Sequence, residues 1–439
     1  MKLKALSTAM ILATVPMTGA FAAALDRSGQ SMAAFLQPGN YFEAGISVLD
    51  PSVSGNVKSG YVPAGAPAAL APVFGLENTN VGEMAGDYYF PHAALKLQLT
   101  DNFSFGLIYD QPFGAKAEFS SNTKTTPPAA VLGSISPALG AFGGQGAFHD
   151  GTEGSKVEVD TQNLAMVFGF QPTENWNIYG GPVYQTVKGD VQLRGLAYGG
   201  SATFGSYNAN IKEDSAIGWL AGFAYQIPEI ALKTSVTYRS EVEHESNTKE
   251  SFKTGLFAGL NAAPDAKTEI TTPQSVNLDF QTGVMANTVA FANLRWVNWK
   301  DFAIRPNKFG QASNLLGQNP TVNQPNGFDL VAYSDDQISA TVGVGRKLSE
   351  KWAGNVSVGW DSGAGDPVTT LGPTEGYWNV GLGVQYSPAA NYFIAGGVKY
   401  FMLGDAKAQS AAQFGTNEYV ANFEDNDAWA YGLKIGYRF

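Results

Sequence analysis

The connections along this chain alternate between short and long without exception, and that rhythm constrains the fold more than any motif. Six short turns (Thr100–Asn102, Pro172–Asn175, Ile227–Glu229, Ala286–Thr288, Leu348–Lys351 and Ser387–Asn391) alternate with seven long loops. The long loops are Ser59–Gly86, Gly114–Ser155, Gly199–Lys212, Asn247–Glu269, Pro306–Asn326, Ser362–Pro373 and Gln409–Asn426. Most of the short turns carry residues that permit a tight reversal. The segments between connections alternate with period two. In Asp427 to Phe439, one face carries Trp429, Tyr431, Leu433, Ile435, Tyr437 and Phe439; the other carries Ala428, Ala430, Gly432, Lys434, Gly436 and Arg438. That is the signature of a strand with one apolar and one small or cationic face.

A soluble sandwich has no reason to sort its loops by length, whereas a barrel crossing an outer membrane has one tight rim and one long-looped rim. The alternation therefore predicts an all-β protein: a transmembrane antiparallel β-barrel of about 14 strands, its aromatic faces in lipid. An even count closes the barrel and leaves no unpaired backbone in hydrocarbon. The parity holds in Leu164–Phe170, Ile217–Tyr225, Trp352–Trp360 and Trp378–Tyr386. Val289–Phe302 is less regular, with Trp296 and Trp299 on opposite faces.

Met1–Ala22 reads as a secretory signal, with Lys2 and Lys4 before an apolar run and Ala20-Phe21-Ala22 as its exit. Residues 23–40 are a short plug-like segment, and residues 41–439 are the barrel. The net charge of −11 disfavours nucleic acid as a partner. There is no Cys, and His92, His149 and His244 lie in separate segments. No nucleophile–base spacing, metal-ligand cluster or phosphate loop emerges, so neither an enzyme, a cofactor nor a metal is expected. The expected location is the outer membrane of a Gram-negative bacterium. The expected state is a monomer surrounded by outer-membrane lipid, delivered to the barrel-assembly machinery by its C-terminal strand.

Five segments, in order, resemble the FadL-type transporters of hydrophobic compounds. They are Tyr109–Gly114 (YDQPFG), Tyr238–His244 (YRSEVEH), Pro273–Val276 (PQSV), Arg295–Phe302 (RWVNWKDF) and Gly376–Gly383 (GYWNVGLG). The resemblance implies passive uptake of long-chain fatty acids or other poorly soluble molecules. It also implies a kinked third strand that lets them leave sideways into the bilayer. The chain departs from the family pattern at its N-terminal end, where only Ala23–Asn40 precede the first strand and Asn-Pro-Ala is missing. The alternative reading is a general diffusion porin for small polar solutes, which would want a lumen denser in charge.

Carrying an amphiphile requires an apolar capture surface, a cation for a carboxylate and an exit. Capture candidates are Val131, Leu132, Ile135, Leu139, Phe142 and Phe148 in the second long loop, with Phe252, Leu256, Phe257 and Leu260 in the fourth. The competing reading is that these residues pack together as a lid. Parity places Lys96, Lys233, Arg239, Lys399, Lys434 and Arg438 in the lumen. Arg239 and Lys399, the latter beside Phe401, are the leading ligand candidates, against simple pairing with Asp110, Glu241 and Asp279. Lys434 and Arg438 are expected to pair with Asp26 or Glu43. The lateral opening is expected at Asp110, Pro112, Phe113 and Gly114, because proline cannot donate to a ladder. Deleting Pro112 and Phe113 is expected to straighten this strand.

Overall fold

A computed structural model describes residues 25–64, 66–320 and 322–439, so the predicted signal Met1–Ala22 lies outside the described residues. Fourteen antiparallel strands close one barrel. They are β1 (Tyr41–Ser52), β2 (Tyr88–Gln98), β3 (Phe103–Asp110 and Gly114–Glu118), β4 (Lys156–Phe170), β5 (Trp176–Gln192), β6 (Tyr207–Ile227) and β7 (Leu232–Arg239 and Val242–Phe252). The rest are β8 (Ala266–Thr272 and Ser275–Met285), β9 (Thr288–Val297), β10 (Gln337–Lys347), β11 (Trp352–Asp361), β12 (Tyr377–Ala389), β13 (Tyr392–Leu403) and β14 (Asp427–Arg438). Closure runs from Tyr41↔Arg438 to Ser52↔Asp427, pairing first strand with last.

The parity read from the sequence is the parity of the wall. Trp429, Tyr431, Leu433, Ile435 and Tyr437 are exposed on β14, while Ala428 and Ala430 are buried toward the lumen. On β9 the inner face is Asn293, Arg295 and Val297; the strand ends there, and Trp299 continues inward under the loops, fully buried. The predicted strand to Phe302 is thus shorter, and the two tryptophans do fall on opposite sides.

Several strands run past the boundaries expected of them. Gly114–Glu118 belongs to β3, β6 starts at Tyr207, β7 reaches Phe252 and β8 starts at Ala266, so three of the long loops are shorter than predicted. At 21 residues, β6 is about twice the length of a tilted span. These extensions carry charge outward, as in Lys249, Lys267 and Glu269, because their outer face meets water rather than lipid. The apolar test for a strand therefore fails there.

Above the membrane the loops pack on one another. Phe204 lies 4.7–5.9 Å, centroid to centroid, from Phe252, Phe257, Phe309 and Phe328. Phe309 is supplied by a helix, α1 (Asn307–Gly317), in the longest connection. A smaller core lies inside the barrel around Met32, Phe35, Tyr41, Ile108 and Tyr179.

Candidate functional site

The N-terminal residues thread the lumen, and the inward cations hold them there. A turn between Met32 and Gln37 leaves the carbonyls of Leu36 and Gln37 without helical partners. Lys233 donates to Leu36 O and Lys96 to Gln37 O, each at 2.5 Å. Arg239 donates to Gln30 O at 2.7 Å. Asp26 receives two bonds from Arg295, at 2.8 and 3.0 Å, and Arg295 also reaches Asn277 and Gln30. Ser28 donates to Asp110 at 2.5 Å. Phe35 stacks so closely on the wall that a Cβ at Gly106 would sit 2.5 Å from its ring.

Of the ligand candidates, Lys96 and Arg239 thus anchor the plug. Lys399 instead lines a cavity of about 230 Å³ with Ser357, Asn293 and Asp279. Phe401 packs edge-on against Tyr377 at 5.1 Å. Lys434 pairs with Glu43 at 3.3 Å as expected, but Asp26 pairs with Arg295, and Arg438 reaches Gln37. Glu241 points outward and is exposed, because β7 reverses its faces at Ser240–Glu241. Arg295 was missed as a candidate; its place between inward Asn293 and Val297 was the signal that could have found it.

The wall is interrupted where Pro112 sits. The lower half of β3 pairs with β4 down to Asp110↔Asn163, and the upper half resumes at Gly114↔Asp160, a register step of one residue. That is a bulge with one extra residue in β3. On the other side, β2–β3 pairing stops at Ala93↔Tyr109, leaving Tyr88–His92 with β1 alone. The N-terminal segment fills this gap from inside: Arg27 N donates to Pro112 O, and Gly114 N to Leu25 O. The Arg27 guanidinium lies 4.2 Å over the Tyr88 ring and 3.7 Å from Asp160. A Cβ at Gly114 would meet its Cζ at 2.1 Å. Gly114→Val is therefore expected to push Arg27 out of the gap. Trypsin cleavage after residue 27, slow in the parent, should become at least several-fold faster.

Inside the gap lies a narrow apolar slot of about 10 Å³, lined by Leu25, Phe113, Val159, Ile211, Ile270 and Trp299, whose ring meets Phe113 edge-on at 5.4 Å. Phe113 is fixed by Thr161, which accepts its N–H and donates to its carbonyl.

The capture candidates divide. Leu132 and Leu139 are buried against Phe74, and Phe142 lies edge-on to that ring at 5.8 Å. Phe148 stacks on Phe119, and Phe257 belongs to the aromatic cluster of the cap. Val131, Ile135 and Leu256 remain exposed.

One carboxylate of the cap is strained electrostatically. Glu375 Oε1 accepts the Gly365 N–H, but its Oε2 is buried without a hydrogen bond among the described residues. Burial, aided by Asp366 and Asp361, pushes its carboxyl up from 4.5 to about 7. A raised carboxyl pKa means the folded state holds the proton between these values, so stability falls as pH rises through that window. Glu375→Gln should raise Tm at pH 8 and change it little at pH 4.5, as thermal melts at both pH values would show.

A family model described as outer membrane protein transport protein (OMPP1/FadL/TodX) matches residues 145–439. The chain belongs to this family. It is therefore a channel of the Gram-negative outer membrane for hydrophobic compounds, in a family of transporters rather than enzymes. A FadL homologue of Pseudomonas aeruginosa shares the barrel at 14% identity, with a TM-score of 0.64 over 93% of this chain and 92% of that one. The toluene transporter TodX of Pseudomonas putida follows at 12% identity and 0.57, over 92% and 91%. At such identities the likeness speaks for the fold. A search of curated proteins returns no match.

Proposed function

We propose that this FadL/TodX-type channel takes up long-chain fatty acids or other hydrophobic small molecules by passive diffusion and releases them sideways at β3. The observation that carries the reading is the break in the ladder between Tyr88–His92 and the upper half of β3, bridged by the Tyr88 hydroxyl to Lys116 O and filled from inside by the N-terminal segment. Apolar molecules would collect on exposed Val131 and Ile135, enter the slot beside Phe113, and leave once Arg27 swings from the gap. The slot is closed here, with room for about one water, so passage requires Leu25 and Phe113 to part; its lining offers few polar groups to desolvate. For a carboxylate head group, Lys399 is the proposed partner, because it lines the cavity of about 230 Å³ inside the barrel. TodX, whose fold this chain shares, is described as a toluene transporter, which makes toluene a fitting probe.

The test compares proteoliposome uptake of labelled oleate and toluene with liposome swelling in sugars. Uptake of either hydrophobic probe above empty vesicles, with no swelling, is expected. Swelling in sugars without hydrophobic uptake would replace this reading with that of a polar-solute porin.

A further inference from the structure

The side chain that closes the slot is itself a hydrocarbon. A phenylalanine side chain is toluene less one hydrogen, and Phe113 is 2% exposed. Its ring stands edge-on to the Trp299 ring, with centroids 5.4 Å apart and planes at 78°. Two further rings meet that indole edge-on, Phe302 at 5.2 Å and Tyr333 at 5.3 Å. Edge-to-face contact sets the positive rim of one ring against the negative face of another, which a saturated ring cannot reproduce.

Trp299 is held in one orientation. Its indole N–H donates to Gln337 Oε1 at 2.8 Å, and Gln337 donates in turn to Asp361 at 2.6 Å, all three residues being buried. The Gly363 N–H holds the other Asp361 oxygen at 2.9 Å. Phe113 is held differently. Thr161 accepts its N–H and donates to its carbonyl, so those bonds fix its backbone on β4 and leave its side chain free of them. The indole is the fixed wall of the slot, and the benzyl group is the wall that can turn.

The slot beside Phe113 has room for about one water, so no hydrocarbon fits while the ring is in place. The space open to a ligand is that of the ring itself. Turned aside, Phe113 leaves an apolar recess walled by Val159, Ile211, Ile270 and Trp299. Apolar cavities on the order of 150 Å³ in protein interiors stay dry and bind benzene. Lys188 is the one charged residue on the lining among the described residues, and its side chain is half exposed and 3.7 Å from Asp160. A carboxylate brought into the recess therefore meets no cation, whereas a neutral ring has no charge to desolvate.

We propose that Phe113 is a resident stand-in for the substrate: the closed protein fills, with its own benzyl group, a recognition site on Trp299 that a neutral monocyclic aromatic molecule takes over during passage. The proposal rests on the reading of the slot as the substrate path. Trp299 is then the residue that favours an aromatic ring over a saturated one of the same size, and Gln337 is the positioning residue that keeps the indole in place. A fatty-acid chain displaces Phe113 without regaining the ring contact.

Phe113→Ala empties the site and keeps the backbone groups that Thr161 binds. The variant is purified in detergent, its fold is checked by the mobility shift between heated and unheated samples, and 4-fluorotoluene is added. A bound fluorine NMR resonance is expected in the variant and not in the parent at the same dose. Toluene and its saturated counterpart methylcyclohexane are then dosed through the vapour at equal fractions of saturation. Toluene is expected to displace the probe at an about fivefold lower fraction, the size of one edge-to-face contact. Adding Trp299→Leu should remove most of that preference, and adding Gln337→Leu should reduce it. In proteoliposomes, Trp299→Leu alone should lower toluene uptake at least threefold relative to methylcyclohexane uptake. If Phe113→Ala does not fold, Phe113→Val, which empties part of the site, carries the same comparison. No bound resonance in a folded variant, or displacement by both hydrocarbons at the same fraction, overturns the proposal. A parent that takes up neither toluene nor oleate overturns the uptake reading, and the substrate role of the site with it. Parental uptake beside a Phe113→Ala that binds no ring overturns the site alone.

Discussion

Asp26→Ala is expected to release the N-terminal segment from the lumen while leaving the barrel folded. The Asp26–Arg295 pair is the most buried ion pair in the molecule among the described residues, with side-chain exposures of 6% and 2%. Removing one partner of a buried pair costs about 3–5 kcal/mol, because the remaining charge stays desolvated. Here the cost falls on docking of the plug. The barrel keeps its backbone ladder, closed by twelve pairs from Tyr41↔Arg438 to Ser52↔Asp427, and does not need residue 26. Undocking also uncovers the carbonyl partners of Lys96, Lys233 and Arg239, so the segment is expected to leave as a unit. The measurements are single-channel conductance in planar bilayers, expected to rise at least several-fold, and trypsin cleavage after Arg27, expected to become fast. The thermal midpoint of the barrel should move by only a few degrees. The double variant Asp26→Leu with Arg295→Leu should recover much of the low conductance, since an apolar pair of similar volume avoids the stranded charge. Unchanged conductance and cleavage in Asp26→Ala would show that the pair does not hold the plug.

The barrel was legible because lipid imposes one rule on every spanning strand: outward residues are apolar and backbone groups are paired. Strands such as Asp427–Arg438 and Tyr377–Ala389 obey it, and turn length separated the two rims. Where the outer face leaves lipid, the rule lapses. That is why Tyr207–Lys212, Asn247–Phe252 and Ala266–Glu269 read as loops although they are strand. The phase switches at Ser240–Glu241 and at Gln111–Phe113 are also hidden from a single strand. Each is a relation to a neighbour's register, and only the pairing of both strands exposes it.

The site was legible in part. Parity placed Lys96, Lys233, Arg239 and Lys399 correctly in the lumen but could not say what stands opposite them. The partners of the first three are main-chain carbonyls of residues 36, 37 and 30, which no side-chain inventory reveals. Phe113 and Gly114 stood out through Pro112, yet the reason for the glycine is Arg27, far away in the sequence. Contacts between the plug and the wall join residues far apart in the chain, 269 positions for Asp26 and Arg295 and 401 for Gln37 and Arg438.

Deleting Pro112 alone is expected to close the lateral gap and abolish release of hydrophobic molecules while the protein still folds. The size of the deletion matters. The lower half of β3 turns even residues inward (Gly106, Ile108) and the upper half turns odd ones inward (Ala117, Phe119), matching the one-residue step against β4. Removing one residue puts both halves in phase with β4, and it brings Ala115 to face inward opposite Tyr88 on β2. Removing Pro112 and Phe113 together, the change suggested by the motif, would leave the halves out of phase again and keep the gap. Losing a residue without an N–H also lets the ladder run on past Ala93↔Tyr109. Each backbone bond gained there adds about 0.5–1.5 kcal/mol, so the variant should be at least as stable as the parent in urea. Labelled oleate or toluene uptake should fall at least tenfold in the Pro112 deletion and far less in the double deletion. The two are distinguishable because phase, not the loss of proline, decides whether β2 and β3 can join. Parental uptake by a folded Pro112 deletion would mean that substrates leave by another path.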